Sequence, residues 1–330
     1  MIRMRQVKLI IFFVFFVISS FFSLSALFFY ASSVIASTTT TIPPNAPSQT
    51  HISQQPPATA PTPINRAEPV SHKATYDVTF ECDPQSDFAH ADGTMTMEII
   101  RYIDHWIMKQ SSALKISIPG IDETETTSTT ITSIEDHKGL NYTFTAQALR
   151  DDNIDESING RGRLAGEEGA GTVMYEGPEP LTVNLPEKTY FPIQHLKLLM
   201  QEAKSLPPKS FKMVKAIVFD GSSDVREAVR VEAILTAVDP QSKFIGVSDP
   251  NILKSHKLWR AEMSVYNISE DNSPHTYSEP EYKIIQIFSE QGIIYKMTVD
   301  YGDYKMHSIL KEVVVFTDEH SAETALKMGA

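Results

Sequence analysis

The 330-residue sequence predicts a mainly β fold: one long antiparallel sheet, strongly curved and barrel-like, with a single packed helix over residues 192–204. Three observations carry this expectation. Apolar and polar residues alternate with period two through most of residues 71–316, the mark of strands with one buried face. Turn letters such as HKG, SEQG and YGD separate the runs. No strand is followed by a helix-length amphipathic segment in a βαβ rhythm, which excludes a parallel doubly wound sheet. More than ten antiparallel strands in one domain have to curl or close.

In chain order, MIRMRQVK supplies Arg3, Arg5 and Lys8 ahead of an uncharged apolar run. That pattern starts export across a membrane, and the small residues before Ser37 suit cleavage after Ala36. Residues 1–36 therefore read as a signal peptide, or as an N-terminal membrane tether if the run is retained. Residues 37–70, rich in Pro, Thr and Ser, cannot bury enough apolar area to order themselves and read as a disordered linker. The formal net charge is -12, and since the first 36 residues contribute only cations, the remainder is more acidic still. Such a surface repels nucleic acid, which is excluded as a partner.

The β domain, 71–316, opens with KATYDVTFE, in which Ala74, Tyr76, Val78 and Phe80 point one way. GTMTMEIIRY and WIMKQSSALKISIPG follow. Next comes a Thr-rich hairpin through NYTFTAQAL, with Tyr142, Phe144, Ala146 and Ala148 turned inward. GRGRLAGEE and AGTVMYEG form a further pair. FKMVKAIVFD, REAVRVEAILTAVD, LWRAEMSVYNI, PEYKIIQIFSE, GIIYKMTVDYG and YKMHSILKEVVVF complete the strands, and 317–330 is a C-terminal tail. The helix has Pro192 in its first turn, an apolar stripe of Leu196, Leu199 and Met200, and Lys204 at its end.

Motifs for chemistry are sparse. Cys82 is the single cysteine, so no internal disulfide can form, and no nucleophile elbow or Cys-His framework accompanies it. The histidines show no metal-ligand spacing, and GRGRLAG does not open a helix after a strand, so no metal or cofactor is expected. DGSSD, with Asp220 and Asp224, reads as a tight turn whose side chains bond their own backbone, and a cation cradle is the costlier alternative. In TYFPIQH the residue before Pro192 must be extended, so Phe191 packs while Pro192 starts the helix. His195, in the first turn, is disfavoured as a cation by the helix dipole. It is expected to be neutral and bonded to a backbone carbonyl or an acid from a neighbouring strand.

Several segments, HKATYDV, DGTMTMEI, LPEKTYFPIQH, VFDGSSD and VDYGDYKM, together resemble the EipB-type envelope-integrity proteins over about residues 70–315. The resemblance implies a bent antiparallel β-spiral with a helix packed at the LPEKTYFPIQH region, export to the periplasm, no catalytic activity and a part in envelope integrity under stress. It also implies a disulfide whose early cysteine would fall near residues 101–106, where this chain has none. The motif positions Leu185, Pro186, Phe191, Pro192, His195, Asp220, Gly221, Asp224, Tyr301, Gly302 and Asp303 are expected to be structural.

Three functions compete at this level. A non-enzymatic periplasmic protein would act through contact with another periplasmic protein or a cell-wall component. A carrier or sensor would hold a lipid or other apolar ligand in the curved sheet. A hydrolase would need His195, Asp220 and Asp224 within hydrogen-bond reach in a cleft.

Overall fold

The computed structural model describes residues 67–84, 86, 89–120, 124–177, 180–221, 227–239, 257–268 and 279–316. The export signal, most of the linker, Asp224 and the C-terminal tail lie outside the described residues. The strands are β1 (His72–Cys82), β2 (His90–Arg101), β3 (His105–Ser117), β4 (Thr124–Asp136), β5 (Asn141–Arg150), β6 (Asn153–Leu164), β7 (Gly171–Glu176), β8 (Leu181–Leu185), β9 (Thr189–Tyr190), β10 (Phe211–Val218), β11 (Val229–Val238), β12 (Leu258–Asn267), β13 (Tyr282–Ser289), β14 (Ile294–Asp300) and β15 (Tyr304–Val315). Among the described residues one helix, α1 (Pro192–Lys204), joins them.

All fifteen strands belong to one sheet, ordered β8-β7-β6-β5-β4-β3-β2-β1-β15-β14-β13-β12-β11-β10-β9. Neighbours are antiparallel except β9 and β10, which run parallel for two residue pairs. The first strand thus lies mid-sheet against the last, while the two edges, β8 and β9, are consecutive in the chain. The link between Leu185 and Thr189 spans no more than about 14 Å even when extended. The edges must therefore come close, and the sheet's natural twist carries it round until it is nearly closed into a barrel.

The alternation read from the sequence sets the inner face. Ala74, Tyr76 and Val78 are buried on β1, and Tyr142, Phe144, Ala146 and Ala148 on β5. Two cores result. The larger joins the inner faces of β1–β3 and β10–β15 to Ile193, Leu199, Met200 and Ala203 of α1. The smaller gathers Tyr142, Phe144, Val173, Tyr175, Leu185, Phe191 and Phe219. Between them, β4 presents a buried polar row, Thr127, Thr129, Ser133 and Glu135, with Thr129 Oγ1 2.6 Å from Ser112 Oγ on β3.

Three local features differ from the expectation. Strand β6 starts at Asn153, ahead of the GRGRLAGEE run, because Asp151 and Asp152 both take positive φ (46° and 64°). Two successive left-handed residues make the tight hairpin turn that matches strand twist, and DESING is thereby drawn into the ladder with β5. The short edge strands β8 and β9 carry too few residues for a periodic signal. Packing also begins before residue 71: the Ala67 amide donates to Gln201 Oε1 (3.1 Å), and Glu68 pairs with Arg101 (3.0 Å) and Lys197 (3.4 Å). Cys82 is free and half-buried opposite Tyr304. Burial, then the nearby Asp83 charge, push its thiol up, the direction opposite to that of an activated thiolate.

Candidate functional site

Helix α1 is seated by a residue far away in sequence. Phe191 is extended (φ -84°, ψ 166°) and contributes no side-chain cap. Pro192 has no amide hydrogen to satisfy. The next two donors, Ile193 N–H and Gln194 N–H, go to the two carboxyl oxygens of Glu135 on β4, at 2.8 and 3.0 Å. This replaces a conventional N-cap with an acid from the sheet. Burial pushes the Glu135 carboxyl up to about 8, opposed by those two amides and by Lys197. Lys197 lies over the buried Trp106 ring, 5.1 Å from its centroid. The sequence held a signal for this contact: Glu135 has the inward parity of β4, and an inward acid must find donors.

One turn into the helix, His195 and Gln286 of β13 face an otherwise apolar cavity of about 100 Å³ between α1 and the sheet, walled by Met97, Met108, Met263 and Met297 among others. His195 Nε2 is sealed from solvent and has no hydrogen-bond partner. Burial pushes the imidazole down to about 4, so it is neutral at neutral pH. The expected carbonyl or acid partner for this nitrogen is not there. The acid from the neighbouring strand, Glu135, is spent on the helix backbone, and the first-turn position aims the ring into the cavity.

The other described motif positions lie in the smaller core or at turns. Leu185, Phe191 and Phe219 meet in the smaller core, where the Phe191 ring stacks on Tyr142 (4.8 Å). Pro186 O accepts the Thr189 hydroxyl (2.7 Å) across the turn joining the sheet edges. Asp220 O accepts the Tyr142 hydroxyl (2.7 Å). Gly221 has φ +81°, and a Cβ there would sit 2.6 Å from the Phe144 ring, so the turn requires glycine twice over. At the β14–β15 turn, Tyr301 stacks on Tyr282 and Tyr304, Gly302 N–H donates to Asp300 Oδ1, and Asp303 O accepts the Asp83 amide. His195 Nε2 has no hydrogen-bond partner, so it forms no hydrogen bond with Asp220.

A different surface was not singled out by any motif. Strand β10 pairs with β11 over its full length, but on its other side it meets β9 only at Ile217 and Val218. Residues 211–216 therefore present a free edge among the described residues. Phe211 is 71% exposed and Met213 54%, and Ile234, opposite Met213 on β11, is 40% exposed. Lys212 and Lys215 lie on the same stretch, paired with Glu202 and Glu232. Such lysines deter indiscriminate edge pairing, yet the apolar side chains stay exposed among the described residues.

Fold and site together define a nearly closed single-sheet β protein with one packed helix. The chain belongs to the EipB-like family, whose model matches residues 64–317. It is 22% identical over 253 residues to the cell envelope integrity protein EipB of Brucella abortus (strain 2308), covering 75% of this chain and 84% of that protein. Its fold is similar to the crystal structure of a β-barrel-like protein of a domain of unknown function from Brucella abortus. The TM-score is 0.64 at 21% identity, over 76% of this chain and 99% of the other.

Proposed function

We propose that this chain is a non-enzymatic periplasmic protein that supports cell-envelope integrity by contact with another periplasmic protein or a cell-wall component. The observation that carries the reading is the free β10 edge, with Phe211 and Met213 exposed beside it. An edge strand with unpaired backbone groups and flanking apolar side chains is the surface on which an extended segment of a partner adds a strand. Membership of a family with a relative named for envelope integrity supports the setting. The acidic, export-patterned sequence agrees with it.

A photo-crosslinking side chain placed at Met213 in cells tests this contact, with Ile154, another exposed apolar residue at 66%, as the control position. A discrete adduct from position 213 and none from 154 is expected. Identical adducts at both positions, or none at 213, would overturn the assignment of this edge.

A further inference from the structure

Buried polar atoms in native proteins nearly always find a partner, and one that does not calls for a reason. His195 Nε2 is such an atom. It faces a cavity rather than packed side chains, and among the described residues the only other polar side chain lining that cavity is Gln286. The volume, about 100 Å³, is somewhat below that of an engineered cavity of ~150 Å³ that takes up benzene. Four methionines in the wall, Met97, Met108, Met263 and Met297, can re-pack around a guest because their side chains are unbranched and polarizable. Leu196 and His195 are only half-buried where α1 borders the cavity. Among the described residues no charged side chain lines the space, so an ionic head would be stranded there.

We propose that this cavity binds a small, mainly apolar molecule carrying one neutral hydrogen-bonding head, a hydroxyl being the simplest, seated against His195 Nε2 with Gln286 as its second polar neighbour. The site is separate from the β10 edge, and its failure would leave that contact standing. Ordered water is the competing occupant, since a cavity of this size admits it and two polar side chains face it.

The test uses the exported full-length protein titrated with 1-hexanol, hexane and hexanoate, followed by ligand-detected NMR. Saturable hexanol binding is expected, at least tenfold tighter than hexane, with no binding of hexanoate. Val231→Phe, which fills the cavity wall, should remove hexanol binding. His195→Phe should remove the preference for hexanol over hexane, and His195→Gln, which keeps a polar head, should retain part of it. Equal affinity for hexanol and hexane in the unmodified protein overturns the proposal without any variant. So does an absence of saturable hexanol binding, which would leave water as the occupant. Hexanol binding that survives Val231→Phe would place the guest elsewhere.

Discussion

Phe191→Ala is expected to lower the unfolding free energy by about 3–5 kcal/mol, the usual cost of deleting a buried aromatic side chain. Phe191 has no exposed surface. Its ring stacks on Tyr142 at 4.8 Å and meets Phe219 edge-on at 6.4 Å. It is also the residue from which α1 starts, so the loss reaches both cores: the smaller one directly, and the larger through the seating of Ile193 beside Glu135. Gly221→Ala probes the same cluster from the other side. Left-handed backbone costs a residue with Cβ about 1–2 kcal/mol, and the Phe144 ring must be displaced in addition. Urea unfolding of both variants checks this. A wild-type midpoint for Phe191→Ala would contradict the view that the LPEKTYFPIQH motif is there to close the sheet.

His195→Phe is expected to make the protein resistant to acid. The folded imidazole titrates near 4 instead of 6.5, because burial disfavours the cation. For a histidine lowered in this way the unfolded state binds the extra proton first, so its contribution is fully present above about pH 6.5. It is lost as pH falls from there towards 4, and amounts to about 3 kcal/mol over that window. Phenylalanine fills the same space without a polar nitrogen left unpaired, and replacing such a group by an apolar one is neutral or stabilising. His72, also lowered by burial, titrates in the same direction. Glu135, raised to about 8, works the other way, losing stability as pH rises from about 4.5 to 8. Both contributions cancel when the variant is compared with wild type at each pH. Denaturant midpoints at pH 7.5 and 4.5 should converge for the variant relative to wild type. An unchanged difference between the two proteins across that range would show that the ring is hydrated or paired when folded.

Most of the sheet was legible because period two reports burial directly: Ala74, Tyr76 and Val78 alternate in sequence and are buried in the fold. The helix was legible for the same kind of reason, with Pro192 and Lys204 marking its ends. The DESING half of β6 was missed because a two-aspartate turn carries no glycine to announce it. Glu135 and α1 are 58 residues apart at their closest hydrogen bond, and a single sequence does not reveal which distant donors an inward acid will meet. The cavity was equally hidden, since its existence depends on how side chains from many strands and one helix fill a shared space. The β10 edge was invisible because FKMVKAIVFD reads as a strand whether or not a neighbour covers it. Only the strand order shows that β9 stops after two pairs.

If function resides in the β10 edge, substitutions there should abolish it without touching the fold. A double substitution, Phe211→Ser with Met213→Glu, tests this most directly when its thermal midpoint and its ability to restore envelope integrity in a strain lacking the gene are measured together. Both side chains are mostly exposed, so the midpoint should stay within about 0.5 kcal/mol of wild type in stability while restoration fails. Full restoration by a folded, equally stable double variant would contradict the assignment of function to this edge.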